Sequence, residues 1–221
     1  MRSNEHSRES VINPWVSLSD AVLGFMIIIF LLFSLNVIKL KQMAEYVQTA
    51  IDDKNELLEM MGKAGLSEFI TGKDISLQGN KNRDIWDSGD TQWNEIKGDY
   101  ANKIAKFGSV LKNFMDKESR KQTYTILIVG HASADGDESE TDRLALERAE
   151  TIRDYFKRTF FTTSNNRQIG KNGFVVEPQD VYKIYATGVG EKQLRDTKNP
   201  LSYTNRFIEI KLIPDFLKFS Q

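Results

Sequence analysis

Apolar positions are massed near one end of this chain and spaced out everywhere else. Val16 to Ile38, VSLSDAVLGFMIIIFLLFSLNVI, is a 23-residue run whose only ionisable side chain is Asp20. At ~1.5 Å of helical rise per residue it crosses the ~30 Å hydrocarbon core of a bilayer with some tilt. Pro14 and Trp15 stand at its start, where a first-turn proline and a headgroup-level indole are both at home, and Lys39 and Lys41 close its far end. A cleavable signal peptide has a shorter apolar core, a basic start and a small-residue cleavage site. Here the start mixes Arg2, Glu5, Arg8 and Glu9, and the run ends Asn-Val-Ile-Lys-Leu-Lys. The pattern predicts a short N-terminus over 1–14 and an uncleaved transmembrane helix over 15–39. Two arginines before the run and two lysines after it leave its orientation unset by charge.

Beyond the span the period is helical. Leu40, Met43, Val47, Ala50, Leu57, Met61 and Ala64 follow three-four spacing, with Lys54 interrupting. This predicts a juxtamembrane helical linker over 40–72, either pairing with a copy of itself or packing on its own domain. Gly62 and Gly65 end it, and a polar stretch rich in Gly, Asn and Asp runs to about Asp90. The sequence then alternates strand and helix patterns. Strands are expected at Asp74–Leu77, Tyr124–Val129, Val181–Ala186 and Arg206–Ile213. Helices are expected from about Glu95 to Met115 and from about Ser139 to Thr159. The order β-α-β-α-β-β predicts an α/β domain, an α+β sandwich with helices on a mixed sheet, over 73–214, followed by a tail over 215–221.

Composition changes this picture in two places. The 221 residues carry 30 Lys+Arg against 31 Asp+Glu, a net charge of −1 that argues against a nucleic-acid binder. The absence of cysteine excludes disulfides, thiolate zinc sites and thiol nucleophiles. Removing the two bases and three acids of residues 1–38 leaves 28 of each sign, so the surplus acid belongs to the segment that contains Asp20.

An aspartate inside a spanning helix costs ~2.5–3.5 kcal/mol at the bilayer centre and somewhat less toward one end, so it needs a reason, and an Asp that caps the helix N-terminus in the interface is the alternative to a functional one. Ser17, Asp20, Gly24 and Ser34 share a three-four seam with Ile27 and Leu31, while Ser19 and Asn36 lie off it. Gly24, one turn after Asp20, admits a close partner helix. Asp20 is therefore the candidate ion-carrying residue, with Ser17 and Gly24 as neighbours of its site. The transported ion is expected to be a proton, with sodium as the alternative through serine oxygens. No other cofactor is expected.

The stretch ILIVGHASADGDESETDRLALERAETIRDYF resembles the core of OmpA-like peptidoglycan-binding domains. In that family a strand leads to Gly-(His/Tyr)-Thr-Asp, an acidic loop, and Asn-x-x-Leu-Ser-x-x-Arg-Ala on a helix. YATGVGE resembles the family's Gly-x-Gly-Glu strand end, NRFIEIKL its closing strand, and IWDSGDTQW is a faint echo of its opening motif. The resemblance covers residues 73–214 and implies a site in which a strand-end Asp and a helix Arg grip the amine and carboxylate of a peptidoglycan stem-peptide residue. Arg148 matches the Arg position and Leu144 the Leu. Ser133 stands at the Asp position and Thr141 at the Asn position, and these two departures alter the site's chemistry. Asp135 or Asp137 is a candidate replacement for the missing carboxylate. Asn205 and Arg206 are expected at the edge of the site. A surface role for Arg148, paired with Glu150 or Asp154, is the competing reading.

A short N-terminus with PWVSLSD running into one span, a helical linker and an OmpA-like domain is the layout of the MotB family of stator subunits. Leu23 stands where flagellar members carry Thr. With the brief N-terminus and Ser133, this places the resemblance nearer the ZorB family of MotB-like subunits from Zorya anti-phage systems. The resemblance implies a homodimer, a MotA-like or ZorA-like multi-span partner in five copies around two of this chain, and peptidoglycan as ligand. It also implies the bacterial inner membrane, with a cytoplasmic N-terminus and a periplasmic C-terminal domain. A flagellar stator, a passive peptidoglycan tether and a sensor or adaptor are the alternatives.

Other signals are weaker. The acidic loop from Asp135 to Asp142 lacks the Gly at the sixth position and the Glu at the twelfth that a calcium loop needs. GHAS has no nucleophile elbow, and GVGEKQ no phosphate-loop ending. Two isolated histidines make no metal cluster. No catalytic residue and no metal site are expected.

Overall fold

The computed structural model describes residues 14–78, 85–118, 123–134, 137–161, 168–169, 175–176, 182–192, 195–199 and 205–215. The protein divides into two units, 1–49 and 50–221.

Helix α1 runs unbroken from Pro14 to Lys63, 50 residues. Within the first unit Phe25, Phe30, Phe33 and their apolar neighbours are exposed to the surroundings. Among the described residues this is the helix long and apolar enough to cross a membrane. Two of its serine hydroxyls are satisfied locally: that of Ser19 donates to the Trp15 carbonyl at 2.9 Å and that of Ser34 to the Phe30 carbonyl at 2.8 Å.

The second unit is built on a five-stranded sheet. Its strands are β1 (Ile70–Thr71), β2 (Asp74–Gln78), β3 (Tyr124–Gly130), β6 (Lys183–Gly188) and β7 (Phe207–Pro214), in the order β1-β2-β7-β3-β6. A separate pair, β4 (Gln168–Ile169) and β5 (Val175–Val176), is not legible in the hydrophobic pattern. Neither is β1, which forms a tight hairpin with β2 through Gly72 at φ 65°. β7 is antiparallel to both β2 and β3, whereas β6 is parallel to β3. A parallel neighbour requires a crossover, and helix α3 (Glu138–Thr159) supplies it. Helix α2 (Tyr100–Met115) connects β2 to β3 and buries Ile104, Phe107, Leu111 and Phe114 completely. The α/β domain with a mixed sheet and helices is thus the fold observed.

Two boundaries differ from the pattern for identifiable reasons. The helix expected from Glu95 begins at Tyr100, because Gly98 adopts φ 58° and Trp93–Glu95 closes a separate 3-10 turn. There the Glu95 carboxylate accepts from the backbone N–H groups of Thr91 and Gln92 at 2.9 and 2.7 Å. The strand expected at Val181–Ala186 is Lys183–Gly188, set by its register against β3; Val181 lies outside the described residues.

Register decides what faces the helices. One row across the sheet is Ile75, Ile210, Ile128 and Ala186; the next is Leu77, Ile208, Gly130 and Gly188. The second row ends in glycines because α3 crosses there. A Cβ on Gly130 would fall on the Ala145 carbonyl, and one on Gly188 would lie 2.6 Å from the Leu146 nitrogen.

The helical period past the span has its explanation in this core. Leu57 and Met61 near the end of α1 are fully buried, together with Leu66 and Phe69, in the same cluster as Ile75, Ile104 and Phe156. For these residues, packing on their own domain is the reading that holds. Leu57→Ala removes a fully enclosed side chain and should destabilise the domain by about 2–5 kcal/mol in chemical denaturation of the full-length protein in detergent. A change below ~1 kcal/mol would place Leu57 outside the core.

Candidate functional site

The site lies at the ends of β3 and β6, where the glycine row lets α3 sit on the sheet. Ser133 follows β3, Arg206 immediately precedes β7, and Thr141, Leu144 and Arg148 project from successive turns of α3. With Ser88, Gly89 and Ala132 these five line one cleft. Five residues separated by up to 73 positions therefore meet.

Arg148 is buried, 6% exposed, which removes the surface reading; Glu150 and Asp154 pair instead with Arg153, at 3.1 and 2.8 Å. The Arg148 guanidinium donates from Nε to the Asp90 carbonyl at 2.9 Å and from a terminal nitrogen to the Asp87 carbonyl at 3.0 Å. It also lies over the Trp86 ring at 5.6 Å. The loop that receives it is the IWDSGDTQW segment. Ile85 and Trp86 are buried, the Trp86 indole donates to the Gln92 carbonyl at 3.0 Å, and Gly89 makes the turn at φ 86°. In the sequence this loop is the weakest echo; in the structure it forms one wall.

Ser133 is fully buried and accepts a hydrogen bond from Arg206 Nε at 2.6 Å. Thr141 is tied into the first turn of α3, donating to the Glu138 carbonyl at 3.0 Å. Asn205 is turned away from the cleft. Its amide oxygen accepts from the Asp196 N–H at 2.9 Å, and its amino group donates to the Asp196 and Asn199 carbonyls at 3.3 and 3.2 Å. It is a loop clamp beneath the start of β7. Of the proposed substitutes for the missing carboxylate, Asp135 lies outside the described residues. Asp137 precedes α3 and accepts from the Ser139 hydroxyl.

His131 has no role in the sequence reading, yet with Trp86 and Phe207 it lines a second pocket, which shares Arg148 and Arg206 with the cleft. It is 3% exposed and stacks on Phe207 at 3.9 Å, with Nε2 3.4 Å from the Glu209 carboxylate. Arg195 covers Phe207 at 3.6 Å. Burial holds the His131 imidazole below its ordinary value, opposed by Glu209 and reinforced by Arg195 and Lys211. Its strand-end position after Gly130 is the signal in the sequence that points to it.

On the apolar N-terminal helix, Asp20 is exposed, and a Cβ on Gly24 would meet nothing within 4 Å. Ser17 lies in α1, and its side chain is outside the described residues.

Residues 90–206, more than half of the protein, match the model of the OmpA family. The chain belongs to the OmpA family. Solved structures similar to it include the periplasmic domain of Helicobacter pylori MotB, at 14% identity over 66% of this chain and 86% of that one, with a TM-score of 0.43. The cell wall anchor of the type VI secretion system from Pseudomonas aeruginosa is 12% identical over 72% of this chain and 97% of its own, with a TM-score of 0.44. The peptidoglycan-associated lipoprotein of Burkholderia pseudomallei is 14% identical over 62% and 89%, with a TM-score of 0.36. Comparison with curated proteins found no match.

Two predictions test this OmpA-family cleft. Arg148→Ala removes a buried guanidinium and both of its bonds to the Asp87 and Asp90 carbonyls, and should cost about 1–3 kcal/mol of domain stability in denaturant unfolding; an unchanged midpoint would refute the anchoring role. Because folded His131 resists protonation while the unfolded state takes a proton near 6.5, stability is full above that pH and declines as pH falls through it. The thermal midpoint should accordingly drop between pH 7.5 and 5 by less in His131→Phe than in the parent, and parallel curves would contradict this.

Proposed function

We propose that the protein is an ion-conducting, stator-type membrane subunit anchored to peptidoglycan. The observation that carries the proposal is the joining, in one polypeptide, of a 23-residue apolar run of spanning length, whose single carboxylate is Asp20, and an OmpA-family domain. Either part alone describes a tether; Asp20 makes no contribution to tethering and costs insertion energy.

In this reading two copies of the protein present Asp20 to a ring of MotA-like or ZorA-like partner helices. A proton, or sodium, neutralises the carboxylate and lets the helix interface step; release on the other side restores the charge. Each elementary charge moved through 100 mV of membrane potential supplies ~2.3 kcal/mol. Gly24, whose surroundings are open, is the place where a partner helix approaches Asp20 closely. The OmpA-family domain lies in the periplasm and grips peptidoglycan, so that torque acts against a fixed wall. Leu23 and Ser133 favour a ZorB-type subunit of an anti-phage system over a flagellar MotB-type stator.

The cleft supports a second reading, a passive tether, since its described walls come entirely from residues 88–206 and need nothing from the membrane helix. Asp20→Asn separates the two. It preserves size and abolishes titration, so the stator proposal expects complete loss of activity with the partner and unchanged membrane insertion, assayed by ion flux in proteoliposomes holding both subunits. Full flux from Asp20→Asn would overturn it.

A further inference from the structure

Along β7, Phe207 and Glu209 alternate with the core residues Ile208 and Ile210, so they point to the sheet face away from the helices. The Phe207 ring carries a layer on each side there. The Arg195 guanidinium lies 3.6 Å from its centre and the His131 ring 3.9 Å, at 11° to it. Two groups that close cannot share one face. Arg195 is fixed by a bond to the Gln78 side-chain oxygen at 2.7 Å, and Gln78 is the cross-strand partner of Phe207. His131 is fixed through its backbone, whose N–H donates to the Phe207 carbonyl at 2.9 Å. Its side chain is held only by stacking and enclosure: both ring nitrogens are buried and neither makes a hydrogen bond.

This stack is built into the frame of the cleft. Phe207 follows Arg206, His131 precedes Ala132 and Ser133, and the Arg206–Ser133 bond joins the two segments. Behind Arg195, the Asp196 N–H is held by Asn205, the residue before Arg206. Displacing a layer of the stack therefore shifts the backbone on which the Arg206–Ser133 bond rests.

A proton on His131 is the agent that displaces it. Among the described residues, the charged groups facing His131 are Glu209 and Lys211 on β7, Arg195 across Phe207, Arg148 on α3 and Arg206 ahead of β7. Glu209, 3.4 Å from Nε2, is already paired with Lys211 at 3.1 Å. A charged imidazole would be pulled toward that carboxylate and pushed from the guanidinium beyond a single ring, where little water screens either force. Both forces take it off Phe207. We propose that the Arg195–Phe207–His131 stack is a proton-operated latch on the cleft: with His131 neutral it holds Ser133 and Arg206 in place, and protonation opens it and loosens the domain's grip on the wall. The latch rests on the peptidoglycan reading above and adds a control to it. Because the latched state resists a proton that the open state accepts, falling pH favours the open state, beginning near the ordinary histidine value of about 6.5.

The test measures binding of the full-length protein, in detergent micelles, to purified sacculi between pH 7.5 and 5, with near-UV circular dichroism of the same samples. The parent should bind about tenfold more weakly at pH 5 than at pH 7.5, as one proton taken up over one pH unit gives, while its spectrum still reports a folded domain. His131→Phe keeps an aromatic ring against Phe207 and takes no proton, so its affinity should change by less than about twofold. Glu209→Gln removes the carboxylate that favours the imidazolium and should move the loss of binding to lower pH. The chain has two histidines, so in a His6→Gln background NMR follows His131 alone, and its midpoint should coincide with that of binding. Parallel pH profiles for the parent and His131→Phe overturn the latch, as does a loss of binding that only follows unfolding. If His131→Phe fails to fold, an unshifted midpoint in Glu209→Gln overturns it instead. If sacculi retain the parent equally at every pH, the latch is wrong and wall binding stands. If they retain it at none, the wall-binding reading falls, and the latch with it.

Discussion

The candidate site depends on one steric constraint, the contact between helix α3 and the sheet at Gly130 and Gly188. Both glycines lie in the same cross-strand row, which begins with Leu77 and Ile208 on the neighbouring strands. Where the row is leucine and isoleucine, side chains fill the space between layers. Where it is glycine, the backbone of Ala145 and Leu146 takes their place. The helix axis is drawn onto the strand ends, and Thr141, Leu144 and Arg148 come with it. A side chain at Gly130 would push against backbone, which has no rotamer with which to yield.

From that contact the electrostatics follow. Arg148 is brought under cover, where a guanidinium is tolerated only when its donors are met. The loop carrying Trp86, Asp87 and Asp90 meets them with two carbonyls and an aromatic face, and is itself held in shape by doing so. The same residue therefore orders a wall of the cleft and supplies its positive field. Across the cleft, Arg206 and Ser133 form a second short bond that ties the start of β7 to the end of β3.

The long apolar helix answers to different physics. Its described apolar side chains face outward, the Ser19 and Ser34 hydroxyls return to their own backbone, and Asp20 stands exposed on its surface. The second unit, by contrast, encloses a core of its own that extends back to Leu57.

Sequence alone determined what local rules control. The 23-residue apolar run, the α2 and α3 periods, the alternation of β7 and the order of strand and helix all follow from which residues can bury a face and which cannot. Those rules also singled out Asp20, since a charge in an apolar run stands out with no knowledge of its neighbours. Tertiary structure decided everything that depends on residues far apart. It set the register of β6 against β3, the shortened start of α2 after Gly98, the turning of Asn205 into a loop and the burial of His131 between Phe207 and Glu209. It also decided that Arg148, one of several arginines on a charged helix, is the one enclosed, because only the assembled fold brings the carbonyls of Asp87 and Asp90 within reach. Periodicity tells which face of a helix is covered; a hydrogen bond spanning 58 or 61 residues exists only once the polypeptide has closed on itself.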